Sequence, residues 1–80
     1  MKVQEAVIMR INELCAEKNM NISQLARSAG MPPSTLKNVM NGNSKSAGIV
    51  TIAQICDGLG ISVKQFFDCI LFEELEQEIS

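Results

Sequence analysis

The sequence NISQLARSAGMPPSTLKNVMNG, residues 21–42, consists of two short helix-forming segments joined at a glycine. Asn21 and Gln24 have the spacing of a capping box, which predicts the start of the first helix. Gly30 predicts its end, because glycine adopts a positive φ at little steric cost and can turn the chain sharply. Pro33 suits the first turn of a second helix, where its missing N–H has no partner to lose. The stretch therefore predicts a helix, a tight turn and a second helix.

The two predicted helices have faces that fit each other. At 100° per residue, Leu36, Val39 and Met40 fall on one side of the second helix, and the small Ala26 lets the first helix approach closely. This is the mechanical requirement of a helix-turn-helix, whose second helix projects far enough to enter the major groove of DNA. The outward side of that helix carries hydroxyl, amide and amine groups. They belong to Ser34, Asn38 and Asn41, with Lys37 on the flank.

Apolar residues recur at helical spacing on both sides of this stretch. The pattern predicts one helix over residues 3–18 and another from Ile49 to the glycines at 58–60. A second capping-box spacing, Ser62 to Gln65, opens a short helix that carries two of the three aromatic residues. We find no internal repeat and no strand-like alternation. The sequence therefore predicts an all-α fold.

The amino-acid composition limits which classes of protein this chain can belong to. Eighty residues, 46% apolar and 20% charged, suit one globular domain. No apolar stretch reaches the ~18 residues of a membrane span, and the N-terminus lacks the layout of a secretion signal, so we expect a cytoplasmic protein without a membrane partner. Histidine is absent, and no nucleophile stands beside a base. The sequence therefore predicts no enzyme activity and no cofactor.

Three cysteines are spaced too widely for a zinc site, and no histidine completes a ligand set. We therefore predict no metal. Cys15 and Cys56 fall on apolar helix faces and are predicted to be buried, reduced thiols. Cys69 lies beside an acidic segment, and its exposure and redox role stay open.

Two blocks of the sequence resemble one known family. They are the stretch from residue 21 to 42 and TIAQICDGLGISVKQFFD, residues 51–68. Together they resemble the Cro/repressor-type helix-turn-helix domains of the Xre family, and the resemblance runs from about Val7 to Asp68, about three quarters of the chain. The resemblance implies a compact five-helix, lambda-repressor-like domain over residues 1–69 that binds operator DNA, commonly as a dimer. Beyond the resemblance, apolar residues at helical spacing among glutamates predict that residues 70–80 form a short, acidic, amphipathic helical tail.

The resemblance also implies which side chains meet DNA. Base edges would be contacted from Pro33, Ser34, Lys37 and Asn38. Phosphates would be contacted from Asn21, Ser23, Asn41, Asn43, Lys45 and Ser46. The chemistry suits these roles, because asparagine pairs with adenine, lysine with guanine and serine with several base edges. Two positions depart from the family pattern, since Pro33 and Ile22 stand where a polar residue, often glutamine, is common.

The net charge of −2 at first argues against DNA as a partner. Its distribution removes the objection. Residues 18–64 carry five basic side chains against Asp57 alone, a net charge of +4, whereas residues 65–80 carry five acidic side chains and no basic one, a net charge of −5. Residues 1–17 contribute −1. The tail is therefore expected to point away from the duplex.

The tail has an apolar stripe that must be buried, because an isolated helix of ~10 residues is marginal in water. It either folds back over its own domain or packs against a second copy of the chain. We hypothesise that it contributes to a homodimer. The stripe consists of Leu71, Phe72, Leu75 and Ile79.

Two functions fit these observations. The first is a sequence-specific, double-stranded DNA-binding transcriptional regulator, a repressor, that reads the major groove with the helix from Pro33 to Asn41. The alternative is a protein-interaction module on the same fold, such as an antitoxin or an accessory subunit, with weak or no DNA binding.

Overall fold

The computed structural model describes residues 1–42, 48–73 and 75. Within them the chain forms five α-helices and one 3-10 turn and no strand, which confirms the all-α prediction. The helices are α1 (Val3–Glu17), α2 (Ile22–Ala29), α3 (Pro33–Met40), α4 (Ile49–Leu59) and α5 (Val63–Phe67). The 3-10 turn follows at Ile70–Phe72.

One hydrophobic core joins the five helices. Helix α2 packs against both α3 and α4 and contributes the fully buried Leu25 and Ala26. Leu36 and Val39 of α3 are buried in the same cluster, as their spacing predicted. The largest fully buried side chains are Phe66, Ile11, Leu25, Leu36, Ile55 and Cys56. Helix α3 therefore packs against the core with the side opposite its polar residues.

Both predicted capping boxes are present. The Asn21 side chain accepts a hydrogen bond from the Gln24 N–H at 2.8 Å, and the Gln24 side chain accepts one from the Asn21 N–H at 2.9 Å. Ser62 and Gln65 repeat the pattern at 3.0 and 2.8 Å. These bonds satisfy N–H groups that a helix start leaves without an intrahelical acceptor, so α2 and α5 begin where the sequence indicates.

Helices α1, α2 and α4 all end in the same left-handed motif. The residue after the last turn has a positive φ, which is 51° at Asn19, 71° at Gly30 and 72° at Gly60. The following N–H then donates to the carbonyl five residues back. These bonds join Met20 to Cys15, Met31 to Ala26 and Ile61 to Cys56, at 2.9, 3.0 and 3.0 Å. The sequence predicts this role for Gly30.

Gly58 is buried inside α4. The sequence placed the end of this helix at the glycines at 58–60, and α4 ends there, at Leu59 with Gly60 as its cap. A Cβ at Gly58 would lie 2.9 Å from both the Cβ and the backbone nitrogen of Ala29. The Ser28 hydroxyl also donates to the Gly58 carbonyl at 2.9 Å. Gly58 is thus a point of close approach between α4 and α2.

The predicted helical tail begins as a single 3-10 turn. Cys69 before it is extended, with φ −156° and ψ 143°, so α5 and the turn are separate elements. Phe72 in this turn packs against Phe66 and Phe67, with ring centroids 6.1 and 4.8 Å apart. The start of the tail therefore folds back over its own domain. Leu75 is half-buried, and Ile79 lies outside the described residues.

Candidate nucleic-acid interface

The turn at Gly30 sets the direction of α3 relative to α2. Gly30 adopts φ 71° and ψ 30°, and Met31 after it is buried in the core. Pro32 is extended, with φ −61° and ψ 140°, and its carbonyl accepts from the Thr35 N–H at 3.0 Å. These local bonds and the buried Leu36 hold α3 in one orientation on α2, which is the arrangement of a helix-turn-helix.

All four residues predicted to contact base edges lie on the exposed side of α3. They are Pro33, Ser34, Lys37 and Asn38. The buried Leu36 and Val39 occupy the other side, so these polar groups are brought together on one surface. Helix α3 contains no acidic residue that would repel phosphate. The surface therefore presents one cation, one amide and one hydroxyl, each able to bond the edge of a base.

Thr35 also lies exposed on α3, and the sequence interpretation passed over it. It falls 100° from Ser34, on the flank opposite Lys37. Its methyl group could contact a thymine methyl, and its hydroxyl could bond a base or a phosphate. The signal was available, because the same helical wheel that selects Lys37 places Thr35 symmetrically on the other side.

The residues predicted to contact phosphate fall into two groups. Asn21 and Ser23 lie exposed at the start of α2, and Asn41 lies exposed at the end of α3. The remaining three lie outside the described residues; they are Asn43, Lys45 and Ser46. The Asn21 side-chain oxygen is used by the cap, which leaves its amide NH₂ group as a hydrogen-bond donor.

Ile22, which stands where the family often has glutamine, packs partly buried against the core. Its side chain therefore supports α2 and offers no polar group to DNA. The N–H groups at the start of α2 that the capping box does not satisfy point out of the helix end and lack intrahelical acceptors. Together with the positive end of the helix dipole, they favour an anion at this position.

The chain has no acidic residue between Glu17 and Asp57, so no carboxylate opposes the cations Arg27 and Lys37 along this segment. Both cations are exposed. Arg27 and Lys37 thus place exposed positive charge on α2 and α3, the two helices of the helix-turn-helix.

The buried thiols belong to the core, as predicted. Burial raises the pKa of Cys15 and of Cys56, and the nearby Asp57 carboxylate raises that of Cys56 further. Both thiols therefore stay protonated near neutral pH. Cys69 is half-buried, with its sulfur 3.9 Å from a Glu13 carboxylate oxygen.

Across the described residues, no group of three histidine, cysteine, aspartate or glutamate side chains could hold a metal ion. None of the described helices is long and apolar enough to cross a membrane.

Comparisons with known proteins agree with this geometry. The sequence profile of the Cro/C1-type HTH DNA-binding domain matches residues 10–71. The crystal structure of the prophage Lp1 protein 11 is similar, with 38% identity, a TM-score of 0.81, and coverage of 94% of this chain and 100% of that one. No curated protein matches the chain.

Two further crystal structures share the fold. The wild-type restriction-modification controller protein C.Esp1396I is 24% identical, with a TM-score of 0.74 over 88% of each chain. A single-residue mutant of that controller protein is 24% identical, with a TM-score of 0.75 over 91% of this chain and 92% of that one. At this identity the likeness concerns the fold. The profile match over most of the chain and the helix-turn-helix geometry show that the chain belongs to the Cro/C1-type helix-turn-helix DNA-binding domains, a family of regulators.

Proposed function

We propose that this chain is a sequence-specific regulator that binds double-stranded DNA with α3 in the major groove. The observation that carries the proposal is the exposed polar surface of α3, on a helix whose other side is held by the buried Leu36. An α-helix fits the major groove, where each base pair presents a distinct pattern of donors and acceptors. The predicted reading helix, Pro33 to Asn41, then corresponds to α3 together with its C-cap Asn41.

The side chains of this surface differ in what they can read. Asn38 has the donor and acceptor needed for a bidentate pair with adenine, and Lys37 can donate to guanine O6 and N7. Ser34 can bond several base edges. Pro33 cannot donate, so its contribution is limited to apolar contact with a thymine methyl.

Phosphate contacts would then set the register of the domain on the duplex. We assign them to the two ends of the motif. The residues are Asn21 and Ser23 before α3, and Asn41, Asn43, Lys45 and Ser46 after it. As a repressor in the cytoplasm, the protein would act by occupying its operator and excluding other proteins from it.

Replacing Asn38 with alanine is expected to weaken binding to the cognate duplex by about 1–3 kcal/mol and to leave binding to random duplex unchanged. Cognate sites are first selected from a random DNA pool, and affinity is then measured by fluorescence anisotropy. Asn12→Ala removes an exposed asparagine from α1 and is the matched control, with no expected change. An equal loss on cognate and random duplexes would show that Asn38 does not read a base.

Protein interaction on the same fold is the second candidate. The observation that favours it is the adjacent apolar pair Ile49 and Val50, exposed at the start of α4, because exposed apolar surface can mark a partner site. The salt dependence of duplex binding distinguishes the two functions. Contact through ~3–4 cations per chain predicts that log K falls with log[salt] at a slope of about −3 per chain. Weak duplex binding that changes little with salt concentration would favour the protein-interaction function.

We further propose that the chain forms a homodimer through the tail, and a single substitution tests this. Ile70 is 71% exposed beside the half-buried Leu71 and Leu75, so Ile70→Glu is expected to convert a dimer into a monomer in sedimentation experiments. Val63→Glu, at an exposed apolar side chain at the start of α5, is the matched control and should stay dimeric. A wild-type chain that is monomeric at the same concentration would refute the dimer.

Phe72 and Ile79 complete the proposed apolar surface of the tail. Because Phe72 packs against Phe66 and Phe67 of its own chain, truncation before it would remove part of the domain's own core. A point substitution at Ile70 therefore separates association from folding more cleanly than a shortened chain.

A further inference from the structure

Helix α4 covers one flank of α2 and leaves the opposite flank to solvent. The covered flank carries Ser28, whose hydroxyl donates to the Gly58 carbonyl at 2.9 Å, and Ala29, which touches Gly58. At 100° per residue, the direction opposite these two residues lies between Ser23 and Arg27. Both are exposed. Ser23 and Arg27 are four residues apart and therefore lie on one line along the helix, separated by ~6 Å of rise.

This open flank begins at the proposed phosphate-contacting end of α2. Asn21 and Ser23 lie at that end, and Arg27 continues the same surface one turn further along. A guanidinium is suited to phosphate, because its planar donors can bond two phosphate oxygens at once. No role in DNA contact was predicted for Arg27, since it stands outside the capping and turn signals of the motif.

Arg27 has no ion-pair partner within the part of the chain that the structure describes, and no acidic residue occurs between Glu17 and Asp57. Its charge is therefore not neutralised by a described carboxylate. Arg27 is also exposed, so its charge is accessible to a ligand from solvent. Its position, charge and exposure together favour an anionic ligand over a packing role.

We propose that Arg27 binds a phosphate of the DNA backbone, beside the phosphate contacted from Asn21 and Ser23. This inference rests on the proposed function and adds a residue to its interface. The contact carries no base information, so it strengthens binding to every duplex alike and helps to place α3 in the groove.

The test compares Arg27→Gln with Lys64→Gln, which removes an exposed cation from α5, outside the motif. Affinity is measured against salt concentration on the selected cognate duplex and on a random duplex. Arg27→Gln is expected to lower the magnitude of the salt slope by about 0.9 per chain and to weaken both duplexes by the same factor. Lys64→Gln should leave the slope close to that of the wild type, and Arg27→Lys should restore most of it. Circular dichroism checks that each variant is folded.

An unchanged slope for Arg27→Gln would overturn the proposal. So would an equal loss for Lys64→Gln, because the effect would then reflect net charge and not a contact. If the wild type shows no salt-dependent duplex binding, the proposed function fails together with this inference. If the wild type binds and Asn38→Ala loses only cognate affinity while Arg27→Gln keeps the full slope, the inference alone fails.

Discussion

Replacing Arg10 with methionine is expected to destabilise the protein by about 2–4 kcal/mol, because hydrogen bonds from a charged donor contribute about 1.5–3 kcal/mol each and are not fully additive. The Arg10 Nε donates to the Phe66 carbonyl at 2.8 Å, and Nη2 donates to the Gln65 carbonyl at 2.9 Å. These carbonyls belong to the last turn of α5, which has few intrahelical partners for them. The substitution would leave them without their donor and would also remove a cation from a helix C-terminus.

Only 12% of the Arg10 side chain is exposed, and its bond to the Phe66 carbonyl is partly buried, so water replaces that bond poorly. The bond to the Gln65 carbonyl is exposed and contributes less. The ion pair of Arg10 with Glu13 contributes less, because the Glu13 side chain is 49% exposed. The effect is measured by urea unfolding followed by circular dichroism. Lys18→Met, at an exposed position at the end of the same helix, is the matched control and should change the free energy of unfolding by no more than about 0.5 kcal/mol. Equal effects of the two variants would contradict the role assigned to Arg10.

Replacing Gly58 with alanine is expected to destabilise the protein by about 2 kcal/mol, although helix propensity alone predicts the opposite sign. Inside a helix, alanine is favoured over glycine by about 1 kcal/mol. At Gly58 the added Cβ would lie 2.9 Å from the backbone nitrogen of Ala29. Since backbone cannot move aside as a flexible side chain can, α2 and α4 must separate. We place this cost near the upper end of the 1–3 kcal/mol that is typical of overpacking.

Gly48→Ala is the matched control for this experiment. Gly48 has a negative φ of −63°, and a Cβ there would meet no atom within 4 Å. The expected loss is about 0.5 kcal/mol, because glycine is the better residue at a helix N-cap. A Gly58→Ala variant that is as stable as the wild type, or more stable, would show that the helices adjust without cost. Both variants are compared by thermal and urea unfolding.

Much of the fold could be predicted from the sequence because its signals are local. The capping boxes at Asn21 and Ser62 each join residues three positions apart, and the turn at Gly30 depends on one residue's conformational freedom. The apolar spacing of each helix needs only its own residues. The same locality selects the polar side of α3, since the buried Leu36 determines which residues face outward.

The tail shows where local patterns are insufficient. Its apolar spacing indicated one continuous amphipathic helix, but Ile70–Phe72 is a 3-10 turn. The reason is tertiary, because Phe72 packs against two aromatic rings of α5 instead of extending a helix away from the domain. The boundary between residues 69 and 70 stays a prediction, as does a dimer through the rest of the tail.

The sequence by itself determined that this chain is an all-α helix-turn-helix domain with a basic centre and an acidic end. These features follow from charges along the chain and from interactions that span at most a few residues. Only the tertiary structure decided the role of Arg10, which bonds carbonyls 55 and 56 residues away, and of Gly58, which meets α2 across 30 residues through Ser28. It also decided which flank of α2 stays open at Arg27. Such contacts depend on the angle and distance at which two helices pack, and the sequence of one helix alone does not predict either.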